Sequence, residues 1–333
     1  MDVLVAEQVN WAHYQGQRGG HYESFYQRAN HPSRPLAFWL RYTIFSPTGN
    51  PEAAVGELWA VVFDGDSGVH TVSKTQYPMG SCRFAADAFD VQVGPARLGP
   101  DALSGESGRI GWDLRYASDQ APLYLLPHRL YRGGFPKAKS LVGVPLARYD
   151  GTLSVGQREI VVDGWLGSQN HNWGSRHTDR YAFGQVAGFD GAPDTFLEVV
   201  RAQNRIGPLW TPPLTLLVLR RGGSEYAFTG LRQARRASGQ VEFHQPELWW
   251  TFATGDAHTR VEGRIEAPRS AFVGLEYANP PGGTKHCLNT KIAQCSLTIV
   301  DVATGRRDEL RSAHGALFEV LTDDRSHGVP ISA

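Results

Sequence analysis

The sequence predicts an all-β chain built from antiparallel strands. Three observations carry this. Strict alternation of apolar and polar residues recurs along the chain. Turn signals separate the apolar runs at short intervals. No long amphipathic helical repeat lies between those runs, as a parallel βαβ architecture would require.

Taken in order, "LAFWLRYTIFSP" places Phe38, Leu40, Tyr42 and Ile44 on one face of a strand. The other face, Trp39, Arg41, Thr43 and Phe45, mixes aromatic and polar groups, as expected of a strand that lines a cavity. "FDGDSG" (63–68) marks a turn. In "SGRIGWDLRYA", Ile110, Trp112, Leu114 and Tyr116 alternate with Arg109, Gly111, Asp113 and Arg115, which predicts a strand with one wet face. "YDG" (149–151) and "VGQ" (155–157) are turns before the apolar run Ile160–Val162.

"GSQNHNWGSRHTDRY" (167–181) then packs amides, imidazoles and an indole with one carboxylate, Asp179. It reads as a strand end or crossover between two β-elements. Its role is open between a buried turn network, a pocket wall and a metal site. His171 and His177 do not match a zinc spacing, so no metal is expected. Beyond it, "YAFGQV" reads as a strand. "FDG" (189–191), "RRGGSE" (220–225), "ATGD" (253–256) and "DVATG" (301–305) are further turns, and "PPGGTKHC" (280–287) reads as a long one. "RQARR" (232–236) reads as a solvated face or hairpin end. "RDELRSAHGALFEVLT" fits a helix or a closing strand, with Gly315 weakening the helix.

The 333 residues are comfortable for two domains, and a boundary near residue 175 gives 1–175 and 176–333. Lys plus Arg and Asp plus Glu are both 33, so nothing in the net charge seeks nucleic acid or an anionic surface. The first fifteen residues carry no basic n-region and only a short apolar run. No integral membrane association is expected, and a cytoplasmic location is. Cys82, Cys287 and Cys295 include no C-x-x-C pair. Free thiols are the reading, with a Cys287–Cys295 bridge between neighbouring strands as the alternative. The loop "LPHRLYRGGFPKAKS" is basic; it reads as solvated, or as a holder of a substrate carboxylate or phosphate.

Three stretches resemble the lipocalin-like group that contains carotenoid 1,2-hydratases, tocopherol cyclases and lipocalin-type Diels–Alderases. "HYESFYQRANHPSRPLAFWLRYTIFSP" is similar to its opening strand pair, with Glu23 and Tyr26 on the motif. "NHNWG" (170–174) is similar to its D-x-x-W-G signature. "HGALFEVLT" (314–322) is similar to its closing strand, with Glu319 at the Glu position. The resemblance implies two lipocalin-like barrel or sandwich domains packed together around a hydrophobic pocket. It also implies cofactor-independent cyclisation, hydration or isomerisation of an isoprenoid- or polyketide-like molecule.

The hydratases carry Asp where Asn170 stands, and an amide cannot be a general acid. Glu23, Asp113, Glu198 and Glu319 are the substitutes. His171, Asn172, Glu23 and Glu198 are therefore the candidate catalytic residues. Tyr26, Trp39, Arg41, Trp112, Asn170, Trp173 and Tyr181 are the candidate ligand-binding ones. The expected partner is a hydrophobic small molecule. The alternative function is a lipophilic-ligand carrier, which needs the pocket but no acid.

Overall fold

A computed structural model describes residues 8–333; Val3, Leu4 and Val5 of the opening apolar run lie outside the described residues. The chain is β throughout, in two large antiparallel sheets, one a nearly closed barrel and the other a half-barrel. At the centre of the first sheet lie Leu36–Ser46, His21–Asn30, Arg158–Gly174 and Ala138–Val155, in that spatial order. At the centre of the second lie Ala192–Gln203, Arg180–Phe189, Arg307–Thr322 and Thr284–Asp301. Among the described residues no helix is long and apolar enough to cross a membrane.

Alternation decides which sides these strands present. Phe25, Phe38, Leu40, Tyr42, Leu58, Trp112, Leu114, Tyr116 and Tyr149 fill the inside of the first barrel. Tyr26, Trp39, Trp59, Val61 and Phe63 come from the opposite faces of the same strands. They join a second core with residues of the second sheet. Both faces of the central strands are thus buried, and the two sheets meet at a seam. Trp39 and Trp59 are 2% and 0% exposed; burial of each such ring contributes about 1.5–3 kcal/mol or more.

Several readings change in detail. The 167–174 run is a strand end, as one of its two readings has it, and not a crossover. It lies in the seventeen-residue strand Arg158–Gly174, paired on one side with His21–Asn30 and on the other with Ala138–Val155. Being buried on both faces, it can be polar because its side chains bond one another. Gly167 is needed there, since a Cβ would stand 1.8 Å from the carbonyl oxygen of Arg28.

"RQARR" lies in the short helix Leu231–Arg236. The 307–322 segment is a strand, not a helix. The turn at 280–287 is shorter than expected, because Thr284 already opens a strand. The three cysteines are free. Cys287 and Cys295 share one strand rather than neighbouring ones. Eight residues of extended chain put them about 25 Å apart, far beyond disulfide reach.

Candidate functional site

The strand register sets side chains in rows on the seam face of the first sheet. Tyr26 stands between Arg41 and Asn170, Ser24 between Thr43 and Asn172, and Arg28 between Trp39 and Ser168. On the opposing sheet, Gln185 pairs directly with Glu198. Glu319 lies between Phe183 and Asn289.

Gln185 is the hub that ties the two faces. Its Oε1 accepts from Arg28 Nε and from Ser168 Oγ, both at 2.7 Å. Its Nε2 donates to Asn170 Oδ1 at 2.8 Å and to Glu198 Oε2 at 2.7 Å. Arg28 Nη1 donates to Asn30 Oδ1 at 2.6 Å, and Asn30 Nδ2 donates across the seam to the Lys291 carbonyl at 2.6 Å. An amide suits the hub because it offers two acceptor and two donor directions, all used here.

The carboxylates around this network differ. Glu198 is 2% exposed. Burial pushes its carboxyl up to about 8, outweighing the Gln185 hydrogen bond and the Arg28 charge. At neutral pH it is mostly the protonated acid. Its Oε2 accepts from Gln185, which leaves Oε1 to carry the proton. Glu319 instead makes an ion pair with Lys291 at 2.8 Å and accepts from Asn289 at 2.9 Å and Tyr181 Oη at 3.1 Å. Asp113 is exposed on the outside of the first barrel.

Aromatic and cationic groups also line the seam. The Arg41 guanidinium donates to Ser24 Oγ and lies 4.4 Å from the Tyr277 ring centre, with Trp39 at 5.7 Å and Trp59 at 5.8 Å. Burial and the neighbouring Glu319 and Glu198 push the Tyr26 phenol well up, so it stays neutral. Trp39 Nε1, Arg28 Nη2 and Asn172 Oδ1 are buried without a hydrogen-bond partner. These two donors and one acceptor keep hydrogen-bonding capacity on the seam face of the first sheet.

Glu23, His171 and Trp173 point the other way, into the first barrel. Glu23 accepts from the backbone N–H groups of His13 and Tyr14 at 2.8 Å and 2.9 Å. It also accepts from His21 Nε2 at 2.9 Å and His171 Nε2 at 2.8 Å. A carboxylate only accepts, so both rings donate from Nε2. Burial pushes Glu23 up, but the His171 and His21 hydrogen bonds outweigh it and hold it at about 2. His171 is itself kept neutral by burial, and it stacks against Phe25 and Trp173 at 4.1 Å and 4.4 Å.

His13, Glu23 and His171 offer ligand atoms within 4.8 Å of one another, a spacing a metal ion can bridge. The carboxylate's lone pairs are already taken by four N–H donors, and an ion would have to displace them. The cluster's geometry is that of a clamp holding the N-terminal segment to the barrel.

Glu23→Ala is therefore expected to cost about 3–5 kcal/mol, the usual loss when a buried charged hub is deleted. The folded-state value near 2 lies below the ordinary carboxylate value of 4.5. The stability it adds is present above 4.5 and lost as pH falls through 2. Urea melts of the two proteins should differ most at neutral pH and converge near pH 2. Limited proteolysis should cut the mutant first between Gln8 and Gly20.

The sequence-selected residues thus divide. Asn170, Tyr26, Trp39, Arg41, Asn172, Tyr181 and Glu198 meet at the seam. His171, Glu23 and Trp173 form the barrel clamp. Trp112 joins neither: it is barrel core, donating from Nε1 to Tyr42 Oη at 3.0 Å. Gln185, Arg28, Lys291 and Asn289 escape sequence reading. The signal for Gln185 is a lone amide in the apolar strand "YAFGQV", but its use depends on pairing with Glu198.

No protein-family model matches the chain. Uncharacterized proteins of two Mycobacterium tuberculosis strains, CDC 1551 and H37Rv, are each 25% identical to it over 297 residues, 84% of this chain and 82% of theirs. Among solved structures, a putative AttH from Nitrosomonas europaea superposes with a TM-score of 0.60 at 12% identity, covering 96% of this chain and 97% of its own. CghA solved with Sch210972 gives 0.59 at 12% identity, covering 91% and 88%. At that identity the likeness concerns architecture, and it agrees with the strand layout described above: the chain has a two-domain lipocalin-like fold.

Proposed function

We propose that this chain is a cofactor-independent enzyme that binds a hydrophobic small molecule at the seam and promotes its cyclisation, hydration or isomerisation. The observation that carries the reading is the neutral, buried carboxylic acid of Glu198 at the seam, tied through Gln185 to Asn170 and Arg28. Asn170 stands at the position where the resembling hydratases carry their acid. Gln185 links it to Glu198, so the acid is supplied from the facing sheet.

In this reading, Trp39 Nε1–H and the open Arg28 N–H hold a substrate oxygen. Glu198 delivers a proton, or a hydrogen bond, to the reacting centre, and the ring faces of Trp39, Tyr26 and Tyr277 shelter developing positive charge. The proton returns to Glu198 when the product forms, so no redox partner is needed. CghA, of the same fold, was solved with Sch210972, which supports a ligand-holding role for this architecture.

Native mass spectrometry of protein purified from its host tests the proposal. The expected result is a retained apolar molecule that converts on the protein to an isomer or to a species one water heavier. A hydrophilic ligand contradicts the reading. An apolar ligand that is held but never converted assigns the chain to the carriers.

A further inference from the structure

A groove of about 680 Å³ opens beside Trp173, in the size range that takes a small organic molecule. It lies off the seam, bounded by the segment 8–21, the loop 131–137 with the start of the Ala138–Val155 strand, and the end of the Arg158–Gly174 strand. Its walls carry the rings of Trp11, Tyr131 and Trp173 beside Arg132, Lys137 and Lys139. Among the described residues, no Asp or Glu lines it. In a chain with 33 acidic and 33 basic side chains, that imbalance is local.

Lys139 is only 6% exposed. Its Nζ donates to the carbonyls of Gly133 and Pro136, both at 2.9 Å. An ammonium carries three N–H donors, so one remains. The loop's own backbone thus holds a buried cation at the wall of the groove. Lys137 is exposed nearby and has no ion-pair partner among the described residues. Glu23, bonded to the lining residues His13 and His21, is fully buried, and its acceptor positions are occupied. His13 is kept neutral by burial, down to about 4, so its ring is a stacking surface at 4.3 Å from Trp173.

We propose that this groove binds a small molecule with a flat apolar body and an oxyanion head, carboxylate or phosphate. The body lies against Trp11 and Trp173 and the head at Lys137 and Lys139. A donor-rich cleft with ring walls, and with no Asp or Glu among its described lining residues, favours that combination over a neutral ligand. The site does not depend on Glu198 acting as an acid.

Calorimetric titration of the full chain with 2-naphthoate, 2-naphthyl phosphate and the neutral 2-naphthamide tests this. At least one anion should bind about tenfold or more tightly than the amide, with the preference shrinking as salt is added. Lys137→Ala changes an exposed side chain and leaves the fold intact. It should weaken the anion about threefold or more and leave the amide unchanged. The tighter of the two anions identifies the head group. Equal affinities, no binding, or an anion preference that survives Lys137→Ala overturns the proposal.

Discussion

Glu198→Gln is expected to keep the fold and the bound ligand while turnover falls by about two to four orders of magnitude, the usual worth of a positioned general acid. Gln reproduces the shape and neutrality of the protonated acid. It can still accept the Gln185 N–H that Glu198 accepts at 2.7 Å. What it loses is the transferable proton. The same substitution carries a signature that needs no substrate. Glu198 sits at about 8 in the folded chain, above the ordinary 4.5. The stability tied to its protonated form is complete below 4.5 and is lost as pH rises through 8. Between pH 5 and pH 9, wild-type denaturation midpoints should therefore fall by an amount worth a few kcal/mol that Glu198→Gln does not show. Parallel pH profiles of the two proteins would remove the neutral-acid assignment.

Gln185→Leu should be among the most destabilising single changes in the chain. It keeps the volume but strips partners from Arg28, Ser168, Asn170 and Glu198 at once. A buried guanidinium and three polar groups lose bonds that no water replaces, at a cost of about 3–5 kcal/mol. Chemical denaturation should show the loss. Without the hydrogen bond that pulls it down, the Glu198 carboxyl should titrate at a higher pH still. A Gln185→Leu protein as stable as the wild type would mean that the seam network is held by something other than this amide.

Much of the fold is legible in the sequence because alternation is a local signal. Phe38, Leu40 and Tyr42 lie inside the barrel and Trp39 at the seam, as their period of two predicts. The site is harder to read, since it is made by pairing between distant segments. Asn170 and His171 are neighbours in sequence, yet the pleat sends one to the seam and the other into the barrel clamp. The single pocket expected for "NHNWG" is therefore two places. Glu198 was one carboxylate among four with nothing local to separate them. Only its position opposite Gln185, deep between two sheets, makes it the neutral one. Glu23 is distinguished in the opposite direction by four N–H donors, two of them backbone groups of a segment whose path the sequence does not reveal.

The most direct measurement is a carbon-13 NMR titration of the glutamate side-chain carboxyls, with Glu198→Gln used to assign the resonance. The account predicts a resonance that stays protonated through neutral pH and titrates near 8. A Glu198 carboxyl that titrates near 4.5, with the ordinary surface glutamates, would contradict it.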